Sequence, residues 1–295
     1  MQSLAIIVLA AGLGKRMGLG RPKVLAKAGG RTLISHVLET AFSLEPERLV
    51  VVAGFGAREL EDSIAADTLL SPELKESFRI AIQPEQLGTG HAVRCALKEL
   101  KDFSGTVLVL CGDVPRVRAD SLSSLLSLHE SEQATVSLIS FSTGQENSYG
   151  RVLRSTDGMV KAIIESRDCG PEVAHIREFN SGIYAVNSSY LFTSLSTLKN
   201  DNAQGEYYLT DIISQAFSQK LKVSALLCKN AEEFQGINNL RELAMVNSSL
   251  KDEKITTLLE QGVQFDDPQS CYVDPLVEIA AGTSIGPNVQ IYGDS

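Results

Sequence analysis

The chain has 295 residues and a formal net charge of -9, with 43% hydrophobic and 21% charged residues. This composition is ordinary for a folded protein and argues against extended disorder, while the acidic balance disfavours nucleic acid as a partner. No apolar run approaches the ~18 residues of a membrane span, and no leader-like segment precedes the first strand, so we expect a cytoplasmic protein without a membrane partner. The cysteines and histidines show neither C-x-x-C pairs nor metal-ligand spacing, which argues against a zinc site or a disulfide framework.

The first apolar run leads into a glycine-rich loop with the sequence LAAGLGKRM over residues 9–17. Gly12 and Gly14 allow backbone N–H groups to approach a ligand. The loop and the segment after it carry three cations, Lys15, Arg16 and Lys23. Neither the dinucleotide fingerprint nor the Walker A pattern matches, which disfavours NAD binding and a P-loop ATPase. The loop therefore predicts a polyphosphate site, and a plain turn with solvated cations is the alternative for the loop alone.

Strand-like and helix-like segments alternate through the first half of the chain. Strands are predicted at 5–10, 49–53, 79–83, 106–110 and 134–139, and helices at 33–44 and after residue 88. The strands are continuous runs rich in Val and Ile, which is typical of strands covered on both faces. They predict a doubly wound, mostly parallel α/β sheet of the Rossmann-like kind.

The pattern changes after Tyr149. Shorter strands at 151–154, 159–165 and 182–186 predict a meander that adds an acceptor pocket, and residues 202–212 are predicted to open a helix. A strand at 222–228 and a helix at 239–261 follow.

The tail has aliphatic residues at every sixth position, Val273, Ile279, Ile285 and Ile291. This period indicates the first coils of a parallel β-helix, with an irregular strand-rich tail as the alternative. We therefore divide the chain into a nucleotidyltransferase domain over 1–236, a helical linker over 237–262 and an incomplete hexapeptide-repeat β-helix over 263–295.

Two further motifs follow predicted strands. In QPEQLGTGHAV, residues 83–93, the amide of Gln83 can read the edge of a planar base, although helix capping by Thr89 is the better interpretation of that motif alone. In CGDVP, residues 111–115, Asp113 is placed to bind Mg²⁺, with capping of the next turn as the alternative.

Together these motifs, with YGR at 149–151, NAQGEYYLTDI at 202–212 and GINN at 236–239, resemble the uridylyltransferase half of the bacterial bifunctional N-acetylglucosamine-1-phosphate uridylyltransferase/glucosamine-1-phosphate N-acetyltransferase. They occur in the family's order across nearly the whole chain. The resemblance implies UTP and N-acetylglucosamine 1-phosphate as substrates, Mg²⁺ as cofactor, and UDP-N-acetylglucosamine and pyrophosphate as products. It also implies a left-handed β-helix. Since only the first coils of that helix are expected here, we assign no acetyl transfer, and we expect a trimer only with a full β-helix.

The resemblance also implies roles for individual residues. The implied catalytic residues are Arg16, Lys23 and Asp113. The implied nucleotide-binding residues are Leu9, Ala10, Ala11, Gly12, Lys23, Gln83, Gly88, Thr89, Cys111, Gly112 and Asp113. The implied sugar-binding residues are Gly150, Glu165, Asn180 and Asn238, and the implied metal ligands are Asp113 and Asn238. Lys15, Arg116 and Leu240 depart from the family pattern without removing any of these groups.

A sugar phosphate is already anionic, so the reaction needs no general base, and preorganised cations have to offset the charge of two approaching anions. Replacing Arg16 with alanine is expected to reduce mainly kcat, by about 100-fold or more. Two alternatives stay open: an enzyme of the same fold with a different nucleotide or sugar 1-phosphate, and a non-catalytic sugar-nucleotide-binding or assembly subunit.

Overall fold

The computed structural model describes residues 3–14, 17–18, 20–144 and 147–293, so Lys15 and Arg16 lie outside the described residues. The strands are β1 (Leu4–Leu9), β2 (Lys27–Ala28), β3 (Arg31–Thr32), β4 (Arg48–Ala53), β5 (Phe78–Ile82), β6 (Thr106–Cys111), β7 (Val136–Ser142), β8 (Arg151–Arg154), β9 (Val160–Ile164), β10 (Glu178–Asn187), β11 (Val223–Cys228), β12 (Gln264–Phe265), β13 (Tyr272–Val273), β14 (Ser284–Ile285) and β15 (Gln290–Ile291). The helices are α1 (Leu33–Phe42), α2 (Ala57–Ala66), α3 (Pro72–Ser77), α4 (Thr89–Ala96), α5 (Ala119–Ser131), α6 (Ser188–Ser196), α7 (Asp211–Ser218) and α8 (Leu240–Glu260).

The central sheet has the strand order β5-β4-β1-β6-β10-β7-β11. The pairs β4–β5, β1–β4, β1–β6 and β7–β11 are parallel, and β10 lies antiparallel between β6 and β7. The predicted mostly parallel sheet is therefore confirmed. The chain moves outward from β1 to β4 and β5 and then returns to β6 on the other side of β1. This reversal creates a crevice at the carboxyl ends of β1 and β6, which is where open α/β sheets bind ligands.

Helices cover both faces of the sheet, as the apolar strands predict. Ile6 and Val8 of β1 belong to a core that includes side chains of α1, α2, α3 and α5. Ala5 and Ile7 of the same strand belong to a second core with α4, α6 and α7. Alternate residues of one strand thus support two layers, which is the doubly wound arrangement.

The meander after Tyr149 differs from the prediction in one element. Residues 202–210 are not helical, and α7 begins only at Asp211. The Asn202 side chain accepts hydrogen bonds from the backbone N–H groups of Gln204 and Glu206, each at 3.2 Å, and its amide donates to the Glu206 carbonyl at 2.6 Å. These local bonds hold the segment as a loop because they replace those that a helix would make.

The described tail does not form the predicted β-helix coils. It contains two parallel pairs, β12–β14 and β13–β15, of two residues each. The periodic aliphatic residues do share one environment, because Val273 and Ile285 are buried in a cluster with Ile255 and Leu258 of α8. The period therefore identified the inward-facing positions, but the described strands are too short and too few to show a coil.

None of the helices in the described ranges is both long enough and apolar enough to cross a membrane.

Candidate active site

A cation lies between two oxygen atoms at the carboxyl edge of the sheet. The Lys23 ammonium donates to Asp113 Oδ2 and, at 3.1 Å, to Asn238 Oδ1. The Lys23 and Asp113 side chains are 14% and 18% exposed. The fold therefore brings together three predicted site residues that are distant in sequence.

The glycine-rich loop positions Lys23. Its backbone N–H donates to the Gly12 carbonyl at 3.3 Å, and Val24 and Leu25 after it are buried. At Gly14 the backbone has φ +58°, and a Cβ atom there would lie 2.9 Å from Lys23 Cβ. Glycine is required at this position because the loop turns back closely on the lysine.

The turn that carries Asp113 is attached both to β1 and to the segment that carries Asn238. Gly112 N–H donates to the Leu9 carbonyl at 2.9 Å, and Leu9 and Cys111 are register partners in β1 and β6. Ile237 N–H donates to the Asp113 carbonyl at 3.0 Å. Asp113 and Asn238 are thus linked through the main chain as well as through Lys23.

Asn238 is held at the start of the long helix. Its N–H donates to Glu242 Oε2 at 2.6 Å, while Asn239 caps α8 by accepting from Glu242 N–H at 2.9 Å. This reciprocal capping fixes the backbone at Asn238. The paired asparagines of the sequence therefore have separate tasks, one facing the site and one beginning the helix.

The donor atoms at this point fit Mg²⁺. Two oxygens converge on a position taken by an ammonium group, and Mg²⁺ commonly takes one or two protein oxygens together with substrate phosphates. No group of three or more His, Cys, Asp or Glu residues suited to a metal occurs within the described ranges. The arrangement thus matches a metal shared with a phosphate ligand and not an all-protein cage.

Gln83 lies at the end of β5, is only 3% exposed, and makes local contacts. Its Nε2 atom donates to the Gly88 carbonyl at 3.1 Å and lies 3.2 Å from His91 Nδ1. A cavity of about 530 Å³ beside it is lined by Leu13, Gly54, Phe55, Ile82, Gln83, Pro84 and Gln86. Apolar walls around one buried amide suit a planar base.

Gly88 and Thr89 lie at the start of α4 and both contact the segment over residues 206–209. Gly88 has φ +101°, and a Cβ there would lie 2.6 Å from the Tyr207 carbonyl oxygen, so the chain itself fills the space beside it. Thr89 is the first residue of α4, and its hydroxyl accepts from Leu209 N–H at 3.0 Å. The alternative of helix capping by the Thr89 side chain is not observed, because α4 has no side-chain cap.

Three of the four predicted sugar-binding residues, Gly150, Glu165 and Asn180, form a second group around β8, β9 and β10, whereas Asn238 lies beside Lys23. Asn180 is 7% exposed, its N–H donates to the Gly150 carbonyl at 2.9 Å, and its Nδ2 donates to the Tyr184 hydroxyl at 2.7 Å. Glu165 accepts from the Thr210 hydroxyl at 3.1 Å, and a Cβ at Gly150 would lie 3.5 Å from its Oε2. Burial raises the pKa of Glu165, an effect that the Thr210 hydrogen bond partly offsets.

Cys111 lies between the two groups. Its thiol is directed to the Gly182 carbonyl at 3.7 Å, and burial, followed by the nearby Asp113 carboxylate, raises its pKa to about 12. Glu165 also acts on it electrostatically. Cys111 therefore stays a neutral thiol that lies between the Lys23 group and the Glu165 group.

Several residues that contact the site were not predicted from the sequence. Tyr149 accepts a hydrogen bond from Gly236 N–H at 3.0 Å, and burial raises its pKa to about 12. Tyr184 and Thr210 contact Asn180 and Glu165. Phe55 is 73% exposed beside the Gln83 cavity. Tyr149 and Thr210 do lie inside the YGR and NAQGEYYLTDI motifs, but nothing in the local pattern of Tyr184 or Phe55 indicates a site.

Comparison with known proteins agrees with this geometry. A family model described as MobA-like NTP transferase domain matches residues 6–208. A protein named bifunctional protein GlmU from Geotalea uraniireducens is 39% identical over the whole chain and 63% of its own length, and one from Corynebacterium efficiens is 39% identical over 99% of the chain and 59% of its own length. The chain spans about 60% of the length of these curated relatives.

Among solved structures, a UDP-glucose pyrophosphorylase complexed with UDP-glucose has a TM-score of 0.69 over 86% of this chain and all of its own, with 19% identity. That likeness concerns the fold. The resemblance predicted from the motifs is confirmed by the curated relatives, and because the family model covers well over half of the sequence, the chain belongs to the MobA-like NTP transferase family.

Proposed function

We propose that this protein transfers UMP from UTP to N-acetylglucosamine 1-phosphate in a Mg²⁺-dependent reaction that gives UDP-N-acetylglucosamine and pyrophosphate. Family membership and the relatives named GlmU support nucleotidyl transfer. The observation that carries the proposal is the convergence of Lys23, Asp113 and Asn238 at the crevice between β1 and β6. A cation and two oxygen ligands at this position are what a polyphosphate with a bound metal requires.

The phosphate side of the site neutralises charge. Lys23, together with Arg16, would donate to the phosphates of UTP, and Asp113 and Asn238 would hold Mg²⁺. When bound there, the metal supplies Lewis-acid stabilisation of the phosphate oxygens. Lys23 exchanges a carboxylate partner for a phosphate, so the charge balance of the buried site is kept. No general base is needed because the attacking phosphate oxygen is already anionic.

The two remaining groups would orient the substrates. The loop over residues 9–12 and the apolar cavity beside Gln83 would hold the nucleotide. The other residues proposed to bind it are Gly88, Thr89, Cys111 and Gly112. Gly150, Glu165, Asn180 and Asn238 would line the sugar side. A buried carboxylate is a strong acceptor for sugar hydroxyls, because hydrogen bonds to charged groups strengthen away from water.

The decisive experiment measures pyrophosphate release by the purified chain with Mg²⁺ across a panel of four nucleoside triphosphates and three acceptors. The acceptors are N-acetylglucosamine 1-phosphate, glucosamine 1-phosphate and glucose 1-phosphate. We expect the highest kcat/KM with UTP and N-acetylglucosamine 1-phosphate. Preference for another pair would replace the substrates, and no release with any pair would overturn the enzymatic proposal.

We extend the proposal to the setting of the reaction. Supply of UDP-N-acetylglucosamine for peptidoglycan and lipopolysaccharide precursors would place the protein in the cytoplasm. The division into a transferase domain over 1–236, a linker over 237–262 and a C-terminal segment over 263–295 is part of this proposal. A trimer is proposed only for a chain with a complete β-helix. Acetyl transfer is not proposed for this chain.

A further inference from the structure

Arg116 lies three residues after Asp113, at the end of the same turn, and its side chain is 13% exposed. One terminal nitrogen, Nη1, contacts Glu232 Oε2 at 3.1 Å, and the other, Nη2, contacts Glu253 Oε1. Glu253 lies on α8, whereas Glu232 lies in the 3-10 turn over 231–234. A single guanidinium thus joins the Asp113 turn to two separate elements.

These two elements flank Asn238 in the chain. Glu232 precedes it and α8, which carries Glu253, begins two residues after it. Arg116 therefore joins the Asp113 turn to the 3-10 turn before Asn238 and to the fourth turn of the helix after it. Two hydrogen bonds from main-chain N–H groups join the same elements. Ile237 N–H donates to the Asp113 carbonyl and Arg118 N–H donates to Glu233 Oε1, both at 3.0 Å.

The two carboxylates depend on the guanidinium for their position. Glu232 and Glu253 are 68% and 56% exposed, so burial does not hold them, whereas Arg116 is held by the surrounding protein. Without the arginine, the 3-10 turn and α8 would lose the ionic contact that each makes with the Asp113 turn, and the orientation of α8 relative to that turn would no longer be held there. Asn238 lies just before the first residue of α8, so a change in the orientation of the helix would move Asn238 relative to Asp113.

We infer that Arg116 is a positioning residue that sets the spacing between the Asp113 and Asn238 oxygens, and thereby the affinity of the site for a divalent cation. The inference rests on the metal role in the proposed function. Residues that orient metal ligands typically contribute 10–100-fold to metal affinity. Because the main-chain contacts remain, we expect Arg116→Met to weaken affinity by about 10-fold, at the lower end of that range.

The test uses Mn²⁺ as the probe, with binding measured by electron paramagnetic resonance, alone and with UTP. Arg116→Met is compared with Arg116→Lys, which keeps one charge, and with Glu253→Gln, which alters the same network from the exposed helix side. Arg118→Met is the matched control, since this neighbouring arginine pairs at the surface with Asp120 and is 66% exposed. Thermal unfolding of each variant reports on folding.

We expect weaker Mn²⁺ binding in Arg116→Met, an intermediate affinity in Arg116→Lys and Glu253→Gln, and wild-type affinity in Arg118→Met. In turnover, the Mg²⁺ concentration for half-maximal rate should rise about 10-fold, with kcat at saturating Mg²⁺ changing by less than about threefold. Wild-type Mn²⁺ affinity in Arg116→Met, or no measurable Mn²⁺ binding by the wild-type chain, overturns the inference. Failure of the proposed function appears differently, as absent pyrophosphate release while Mn²⁺ binding and its dependence on Arg116 persist.

Discussion

The proposed phosphate side of the site consists of Lys23, Asp113 and Asn238, and the proposed acceptor side of Gly150, Glu165 and Asn180. The two sides are stabilised by different interactions. On the phosphate side, the charges of Lys23 and Asp113 compensate each other, and the residues follow parallel strands whose ends meet at one edge. On the acceptor side, Glu165 and Asn180 rely on neutral hydrogen-bond partners among antiparallel strands. The first side depends on a balance of charge, and the second on burial and shape. Substitutions should therefore affect turnover on the first side and acceptor affinity on the second.

The largest expected effect tests the charge balance. Lys23→Met removes the ammonium between Asp113 and Asn238 while keeping an unbranched side chain. We expect kcat to fall by about 100- to 1000-fold, as for other preorganised stabilising groups, because the phosphates lose a cation that is already in place. The measurement is the steady-state rate of pyrophosphate release at saturating UTP and acceptor.

The matched control for this change is Lys27→Met, an exposed lysine four residues later. It should keep wild-type turnover. If Lys23→Met changes only KM and leaves kcat intact, Lys23 binds the nucleotide but does not act in the transition state, and the contrast between the two sides disappears.

The next effect concerns the base pocket. Gln83→Leu keeps the volume of this buried side chain but removes the amide that donates to the Gly88 carbonyl. Because the amide is proposed to bind the base, its loss removes one or two hydrogen bonds to UTP, which lowers the free energy of UTP binding by about 1–3 kcal/mol. We therefore expect kcat/KM for UTP to fall by about 10- to 100-fold, with weaker discrimination among the four nucleoside triphosphates.

Gln219→Leu supplies the comparison for that variant, because this exposed glutamine ends α7 away from the cavity. Unchanged discrimination in Gln83→Leu, measured on folded protein, would contradict a base-reading role for Gln83.

A smaller effect is expected on the acceptor side. Glu165→Gln keeps the shape but removes the charge of a buried carboxylate, and we expect about a 10-fold rise in KM for the sugar phosphate with little change in KM for UTP. Since burial raises the pKa of Glu165, acceptor binding by the wild type should weaken on acidification at a higher pH than for an ordinary glutamate. A plot of KM for the sugar phosphate against pH should therefore lack, in Glu165→Gln, the rise at low pH that the wild type shows.

For this comparison Glu172→Gln is the control, as Glu172 is exposed in the same region. If KM for UTP rises in Glu165→Gln as much as KM for the sugar phosphate does, the two sides of the site do not act independently.

The same contrast explains what the sequence could predict. Lys23 and Asp113 were found because a glycine-rich loop and a turn each follow an apolar strand, and parallel strands bring such ends together. Glu165 and Asn180 came only from the resemblance, since their surroundings depend on the antiparallel insertion of β10 between β6 and β7 and on a register shift between Asn180 and Tyr184. Strand order of this kind is a long-range property with no local signal.

The boundaries of most strands were predicted within a few residues, because continuous Val and Ile runs mark buried strands well. The predictions for residues 202–210 and for the tail were wrong for different reasons. Asn202 offers side-chain bonds that compete with a helix, and the six-residue period reports which tail residues face inward without determining how many strands pair.

The smallest expected effect concerns stability, at the helix packed against β7 and β11. His129 on α5 is 5% exposed, its Nδ1 lies 2.9 Å from the Ser137 hydroxyl, and burial lowers its pKa below the ordinary 6.5. Above that value both the folded and the unfolded chain carry a neutral imidazole, so this group adds no pH dependence. Below it the unfolded chain binds the proton first, and the free energy of unfolding falls by at most about 1.4 kcal/mol per pH unit. Urea unfolding between pH 7 and 5 should therefore show a shallower pH slope in His129→Gln than in wild type, whereas His175→Gln, at an exposed position, should keep the wild-type slope. Equal slopes in all three proteins would mean that the acid sensitivity of the fold arises at other groups and not from the buried His129.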